Sequence, residues 1–260
     1  MPDPMPAPID IRHQDGIVVV TLNRPAVLNA IDRELRLGLS RTLRSLNGEH
    51  GVRAIVWTGA GERAFTAGQD LSELAALDGA GGADWLRSLA DLYQAIRDLD
   101  KGCVVALNGL ASGAGLQIAG HADIVLAHPD VRLGQPEIDA GLPSVLGPWI
   151  MRQAMGLARA QEMSLSGRFV TAEACLHYGL VNDIVPRADL ASLAVARAAA
   201  LAAKPRMAFR LTKQRFRQTT QASWDATVAA GVDLVHQAFT TGEPQRMAAA
   251  FLARPKAKSR

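Results

Sequence analysis

Asn108-Gly109-Leu110-Ala111-Ser112-Gly113-Ala114-Gly115-Leu116-Gln117-Ile118-Ala119-Gly120 follows the apolar run Cys103–Leu107, and Gly134-Gln135-Pro136-Glu137-Ile138-Asp139-Ala140-Gly141 comes one apolar strand later. A glycine-rich turn between a buried strand and a helix start is a junction of an α/β fold. It leaves bare backbone N–H groups at the positive end of the helix dipole, where they can hold an oxyanion. Glu137 lies in a Gly/Pro-framed turn whose near flanks, Val131, Leu133 and Ile138, are apolar. A carboxylate in such surroundings has a raised pKa and can move protons. By spacing alone Asp139 is an equal candidate.

Upstream, Ile9–Arg12 and Ile17–Leu22 read as strands joined at Asp15-Gly16, a hairpin signal. Asp32 caps a helix with Leu35, Leu39, Leu43 and Leu46 on one face. Val52–Thr58 is a β-branched strand, and Phe65–Gly68 leads through Gln69-Asp70-Leu71 into a helix. Ala83–Leu99 is a longer helix, Ala114–His121 a short one, and Asp123–Ala127 a strand. Strand, turn and helix thus recur over Val52–Leu77 and Cys103–His121, each with a glycine just before the helix. Two such helix starts converging on one point would supply the two donors that an enolate oxygen needs.

After Pro143 helical periodicity takes over, at Ser144–Ser166, Thr171–Tyr178, Ala188–Ala203, Pro205–Thr219, Ser223–Thr240 and Pro244–Ala253, with one short strand at Asp183–Val185. An α/β core followed by a helical part is expected, and apolar faces on peripheral helices imply a partner surface.

With 260 residues the chain can bury a large core, and 28 basic against 25 acidic residues leave it nearly balanced, which argues against a general polyanion binder. The excess is local. Leu190–Ser223 lacks Asp and Glu, and Arg206, Arg210, Lys213 and Arg217 recur at i, i+4, i+7 and i+11 as a stripe suited to phosphates or to solvent. Cys103 and Cys175 form neither a metal-type pair nor a disulfide framework, and the six histidines show no metal spacing, so no metal is expected. No run reaches the roughly 18 apolar residues of a membrane span. Met1–Pro8 reads as a Pro-rich leader rather than a signal sequence, so a cytoplasmic protein is expected, with no membrane and no nucleic acid as partner. Ser112 is no nucleophile elbow, because Leu110 and Ala114 stand where glycines belong. Trp85, Trp149 and Trp224 read as packing residues, Trp149 with a possible place at a pocket wall.

Four blocks together resemble the enoyl-CoA hydratase/isomerase (crotonase) superfamily: Leu22-Asn23-Arg24-Pro25 with Leu28-Asn29-Ala30, Ala64-Phe65-Thr66-Ala67-Gly68-Gln69-Asp70-Leu71, Asn108-Gly109 with Gly113-Ala114-Gly115, and Gly134-Gln135-Pro136-Glu137. Thr171-Ala172-Glu173-Ala174 with Gly179-Leu180-Val181 resembles its downstream segment. The resemblance implies an α/β spiral of ββα turns in two roughly perpendicular sheets over residues 1–195. A helical region at 196–260 would assemble trimers, often paired into hexamers. The substrate would be an acyl-CoA thioester, with no further cofactor.

Matched position by position, the N–H groups of Gln69 and Ala114 would form the oxyanion hole. Arg24, Val27, Leu28, Ala67, Gln69, Asp70, Leu71, Gly113 and Ser144 would border substrate and CoA, and Lys213 would reach the nucleotide phosphates, from its own or a neighbouring subunit. Glu137 matches one of the two glutamates that hold water in the hydratases, whereas the other falls on Gln117, which cannot exchange a proton. Ala114 replaces the middle glycine of a Gly-Gly-Gly turn, and Pro143-Ser144-Val145-Leu146-Gly147 replaces a Pro-Gly-x-Gly-Gly loop. The expected activity is therefore hydration of 2-enoyl-CoA or double-bond isomerisation with Glu137 as the acid/base and Gln117 beside it. Alternatives are other thioester chemistry on the same fold, such as hydrolysis or carbon–carbon cleavage, and a non-catalytic acyl-CoA or RNA binder.

Overall fold

A computed structural model of the chain describes residues 7–253. Residues 1–6 of the Pro-rich leader and 254–260 of the expected C-terminal region lie outside them. β1 (Ile9–Gln14) and β2 (Ile17–Leu22) form an antiparallel hairpin. Its turn residues Asp15 and Gly16 both have positive φ, at 48° and 77°, which matches the right-handed twist of the flanking strands. α1 (Arg33–Gly48) begins where the Asp32 carboxylate accepts from Leu35 N, and buries the leucine face read from the sequence.

The chain then winds. β3 (Ala54–Gly59), β5 (Gly102–Leu107) and β7 (Ile124–Ala127) join β1, β2 and β10 (Asp183–Ile184) in a six-stranded sheet of order β1-β2-β3-β5-β7-β10, parallel except for the hairpin. After each of β3, β5 and β7 a three-residue strand follows, namely β4 (Ala64–Thr66), β6 (Leu110–Ser112) and β8 (Arg132–Gly134). These pair in parallel in a second sheet, closed by antiparallel β9 (Phe169–Thr171). Each turn of the spiral thus gives one strand to each sheet. Asn108 and Asn29 hold the corners: Asn108 Nδ2 donates to the carbonyls of Gly59, Gly61 and Ala64, and Asn29 Nδ2 to those of Ala60 and Ala64.

The central strands β3 and β5 of the larger sheet are buried on both faces, so they read as continuous apolar runs rather than alternating ones. Val105 and Leu107 of β5 join Trp57, Leu39 and Tyr93 in the main core. Val104 and Ala106 point the other way, to a smaller core that α7 (Leu190–Ala202) closes with Leu190, Ala194 and Ala198. The expected division after residue 195 therefore falls inside α7, a helix that belongs to the sheet, and the peripheral helices begin with α8 (Arg206–Thr240).

The remaining helices are α2 (Leu71–Leu74), α3 (Gly79–Arg97), α4 (Ala114–Gly120), α5 (Leu146–Ser166) and α6 (Ala172–Tyr178), and α9 (Glu243–Leu252) ends the described chain. Four details depart from the sequence reading. β6, β8 and β9 were not expected, being three residues long and set inside turn-like sequence. α3 starts at Gly79, because Asp78 caps it on Gly81 N, rather than at Ala83. α8 runs unbroken through Thr220-Gln221-Ala222, a stretch without Gly or Pro, where two helices were expected. The expected single helix over 144–166 is bent, since Gly156 adopts φ 78° and ψ 169°. No helix of the described residues is long and apolar enough to cross a membrane.

Candidate active site

The spiral brings its two glycine turns side by side. Gly68 has φ 94°, and a Cβ there would stand 2.8 Å from Ser112 O and 3.6 Å from Ala114 N. Only glycine permits that approach. It sets the Gln69 N–H next to the Ala114 N–H, the first of α4, and neither takes part in the backbone hydrogen bonds of turns and loops found among the described residues. Two free donors therefore converge as an oxyanion hole requires.

Beside them is a cavity of about 670 Å³. Its wall is mostly apolar, with Leu74, Trp85, Leu86, Leu89, Leu142 and Leu146, and the polar side chains Gln69, Gln117, Glu137 and Ser144 also line it. Glu137 arrives there on a 3-10 turn, Pro136–Ala140, that leaves β8. Its Oε1 accepts from Gln117 Nε2 at 2.8 Å, and Gln117 Oε1 accepts from the Tyr93 hydroxyl at 2.6 Å. Gly113, at φ 51°, lies so close that a Cβ would stand 2.8 Å from Glu137 Oε1. Oε2 is buried without a partner among the described residues. Burial pushes the Glu137 carboxyl up from about 4.5 to about 7, opposed by hydrogen bonds from its own backbone and from Gln117. Asp139, the other candidate by spacing, also borders the cavity but is exposed and lies against Gly167, so the geometry separates the two carboxylates.

Around the Gln69 side chain is a charged network of a different kind. Arg36, 1% exposed, forms a fork on Glu73 at 2.7 and 3.1 Å, donates to Ser88 Oγ at 2.6 Å, and donates to Gln69 Oε1 at 3.2 Å. Trp85 Nε1 donates to the same Gln69 oxygen at 3.3 Å. Both partners are donors only, so the amide orientation of Gln69 follows from chemistry. Neither Arg36 nor Glu73 was singled out in the sequence, where i to i+37 separation carries no local signal.

The remaining expected contacts divide. Leu28, Ala67, Leu71, Gly113 and Ser144 line the cavity. Leu28 and Asn29 both sit at φ 55°, unusual for a leucine, and the loop is held by Ala67 N donating to Leu28 O and by the Asn29 bonds. Val27 is exposed next to them. Arg24 and Asp70 border this edge but face each other: Arg24 Nη1 donates to Asp70 Oδ2 at 3.3 Å and to Ala30 O, and Nη2 pairs with Asp32 at 3.0 Å. Burial tends to raise the Asp70 carboxyl, but hydrogen bonds from Ser72 and the charge of Arg24 hold it below the usual value.

Lys213 does not reach the cavity of its own chain. Its ammonium, 15% exposed, binds Asp123 Oδ2 at 2.7 Å and Lys101 O at 2.9 Å. Arg206 likewise donates to His50 O and Arg217 pairs with Asp98. Arg206, Lys213 and Arg217 thus fasten α8 to the body of the molecule, a role that the charge spacing, suited to phosphates or to solvent, does not announce. Trp149 packs on Trp224 at 5.0 Å between ring centroids, with the Arg97 guanidinium over both, and is not at the cavity wall.

Comparison with known proteins accords with this geometry. Residues 12–259 match the model of the enoyl-CoA hydratase/isomerase family. The chain is 37% identical over 210 residues, 79% of its length and 80% of the relative's, to a protein of Rhodobacter capsulatus named "Probable enoyl-CoA hydratase". It is 30% identical over 247 residues, 93% of its length and 94% of the relative's, to the 1,2-epoxyphenylacetyl-CoA isomerase of Escherichia coli K12. The crystal structure of an enoyl-CoA hydratase/isomerase from Mycobacterium paratuberculosis superposes with a TM-score of 0.87 at 30% identity, covering 95% of this chain and 99% of that one. A spiral of paired strands, two converging glycine turns and a buried glutamate thus coincide with a match over nearly the full length, and the chain belongs to the enoyl-CoA hydratase/isomerase family.

Proposed function

We propose that the chain shifts the double bond of an enoyl-CoA thioester by moving one proton, with Glu137 as the only acid/base and the Gln69 and Ala114 N–H groups holding the enolate oxygen. Glu137 Oε2 takes a C2 proton from a 3-enoyl thioester, and the electron pair moves onto the carbonyl oxygen between the two donors. The pair then returns to form the C2–C3 double bond as the π electrons of C3–C4 take the proton back from Glu137 at C4. No atom is gained or lost. The observation that carries this reading is the state of Gln117, whose oxygen is occupied by Tyr93 and whose nitrogen faces Glu137. An amide so engaged neither takes nor gives a proton, and α-carbon proton transfer needs one base.

Hydration of 2-enoyl-CoA by Glu137 alone is the second reading, favoured by the second N–H of Gln117, which is available to orient a water. A panel of 2-enoyl and 3-enoyl thioesters separates the two. Faster conversion of the 3-enoyl substrates, with a gain of crotonyl-CoA hydration in Gln117→Glu, is expected. Faster hydration by the unaltered protein would reverse the choice.

In this reading the Leu28 and Ala67–Leu71 edge carries the pantetheine and nucleotide, Val27, Arg24 and Asp70 form its rim, and Ser144 faces the acyl group. Assembly into trimers, alone or paired as hexamers, is supported by apolar side chains left exposed on α8, Met207, Leu211 and Phe216, the last 71% exposed. A sedimentation measurement giving a monomer would remove that part. A cytoplasmic location is supported by two cysteines that are buried and unpaired.

A further inference from the structure

Tyr93, Gln117 and Glu137 come from α3, α4 and the turn after β8, and they meet as one chain of hydrogen bonds. Tyr93 is wholly buried, with its ring 5.4 Å from that of His121 and 6.4 Å from that of Trp224. Its hydroxyl has one hydrogen bond among the described residues, to Gln117 Oε1. Burial, and then the neighbouring Glu137 charge, push the phenol well above its ordinary pKa, so it stays protonated and acts as a donor.

An amide transmits direction. With the phenol donating to Oε1, Gln117 must turn Nε2 towards Glu137, and an N–H directed at Glu137 Oε1 disfavours a proton on that oxygen. The opposite arrangement would have a protonated Oε1 donating to Gln117 Oε1, and Nε2 donating to the phenol oxygen. The phenol hydrogen would then be a buried donor without an acceptor, which is costly. The two directions are not equivalent, and the tyrosine is what distinguishes them.

We propose that Tyr93 is a positioning residue that fixes the Gln117 amide and thereby confines the exchangeable proton of Glu137 to Oε2, the oxygen without a protein partner. This rests on the single-base reading of the site. A proton taken from the substrate is then kept on the oxygen from which it can be returned, instead of being drawn into the protein.

Tyr93→Phe tests this while preserving the ring packing. Without the phenol the amide is free to turn over and accept a proton from Oε1, which stabilises the acid form. The acid limb of the pH profile of kcat/KM should therefore move to higher pH. At neutral pH kcat should fall about tenfold, the size of one hydrogen bond to a charged group, with KM little changed. The other ionisable groups around the site remain in the variant: Asp139 on the same turn, Glu243 of α9 against Gly141, Arg36 of α1, Arg97 of α3, and His121 after α4. Burial, aided by the Arg97 charge, lowers the His121 pKa to about 3, so it is neutral throughout the range.

Infrared titration of the Glu137 carboxyl, assigned by its loss in Glu137→Gln, reads the same shift without substrate. It therefore stands even if the enoyl-CoA panel defeats the proposed reaction. The Gln117→Leu background provides the second arm, in which Tyr93→Phe should cause no further shift. An unchanged carboxyl titration in Tyr93→Phe, or a shift that persists at full size with Leu at position 117, would overturn the proposal.

Discussion

Two ionisable groups near the cavity, the buried Arg36 and the half-buried Glu137 with its buried Oε2, are treated in opposite ways. Arg36, beside Gln69, has a carboxylate fork from Glu73, the Ser88 hydroxyl and the Gln69 amide oxygen around it. Glu137 has one amide donor and an oxygen with no partner among the described residues. A compensated buried ion is stable and fixes geometry, whereas an uncompensated one has its pKa moved into the working range. In the proposed function this contrast separates scaffold from chemistry more clearly than charge alone, because both groups are ionisable.

The sharpest way to break this contrast is Glu137→Gln, which keeps the shape and removes the titratable group. Turnover of enoyl-CoA should fall by about 10²–10⁴-fold while thermal stability is maintained or rises, and a kinetic assay beside a melting curve checks both. The sign of the stability change follows from the raised pKa. The native state prefers the protonated carboxyl, so the stability it contributes is complete below about 4.5 and is lost as pH rises through about 7. With Glu137 as the base, activity should run the other way, rising with pH as the carboxyl ionises through about 7, which a pH profile of kcat/KM checks.

Ala114→Pro addresses the donors. Proline is tolerated at the first position of a helix, so α4 should survive while one N–H disappears, and kcat should drop by about 10²–10³-fold. An unchanged kcat would remove Ala114 from the oxyanion hole. For the compensated side, Glu73→Ala strands the Arg36 guanidinium and should cost about 3 kcal/mol in denaturant unfolding. Activity per folded molecule should change less than in Glu137→Gln; equal losses would mean that the two sides do not differ as described. The smallest effect is expected from Lys213→Ala. Its partly buried pair with Asp123 should be worth about 1 kcal/mol or less, with KM for an acyl-CoA nearly unchanged. A large rise in KM would restore Lys213 as a phosphate contact from a neighbouring subunit.

The readable parts of this protein are the local ones. Gly68 and Gly113 announce themselves because the backbone conformation they allow is a property of one residue, and Asp32 and Thr171 cap helices three residues away. The alternation of Val104 to Leu107 between two cores is visible only as an unbroken apolar run, since both faces of the sheet are covered. β6 and β8 were hidden because three-residue strands inside glycine-rich turns carry no periodicity. Tyr93 looked like one more apolar position on α3, and its hydroxyl acquires meaning only when α4 delivers Gln117 to it.

The sequence by itself determined the family and the two glycine turns, because each is carried by residue identity at short spacing. Tertiary structure alone decided that Glu137 rather than Asp139 is enclosed, that Gln117 is held by Tyr93, and that Lys213 is spent on Asp123. The physical reason is that burial and hydrogen-bond partners are set by chain segments far apart in sequence. A side chain's type is local, but its protonation and its orientation depend on what the fold packs against it.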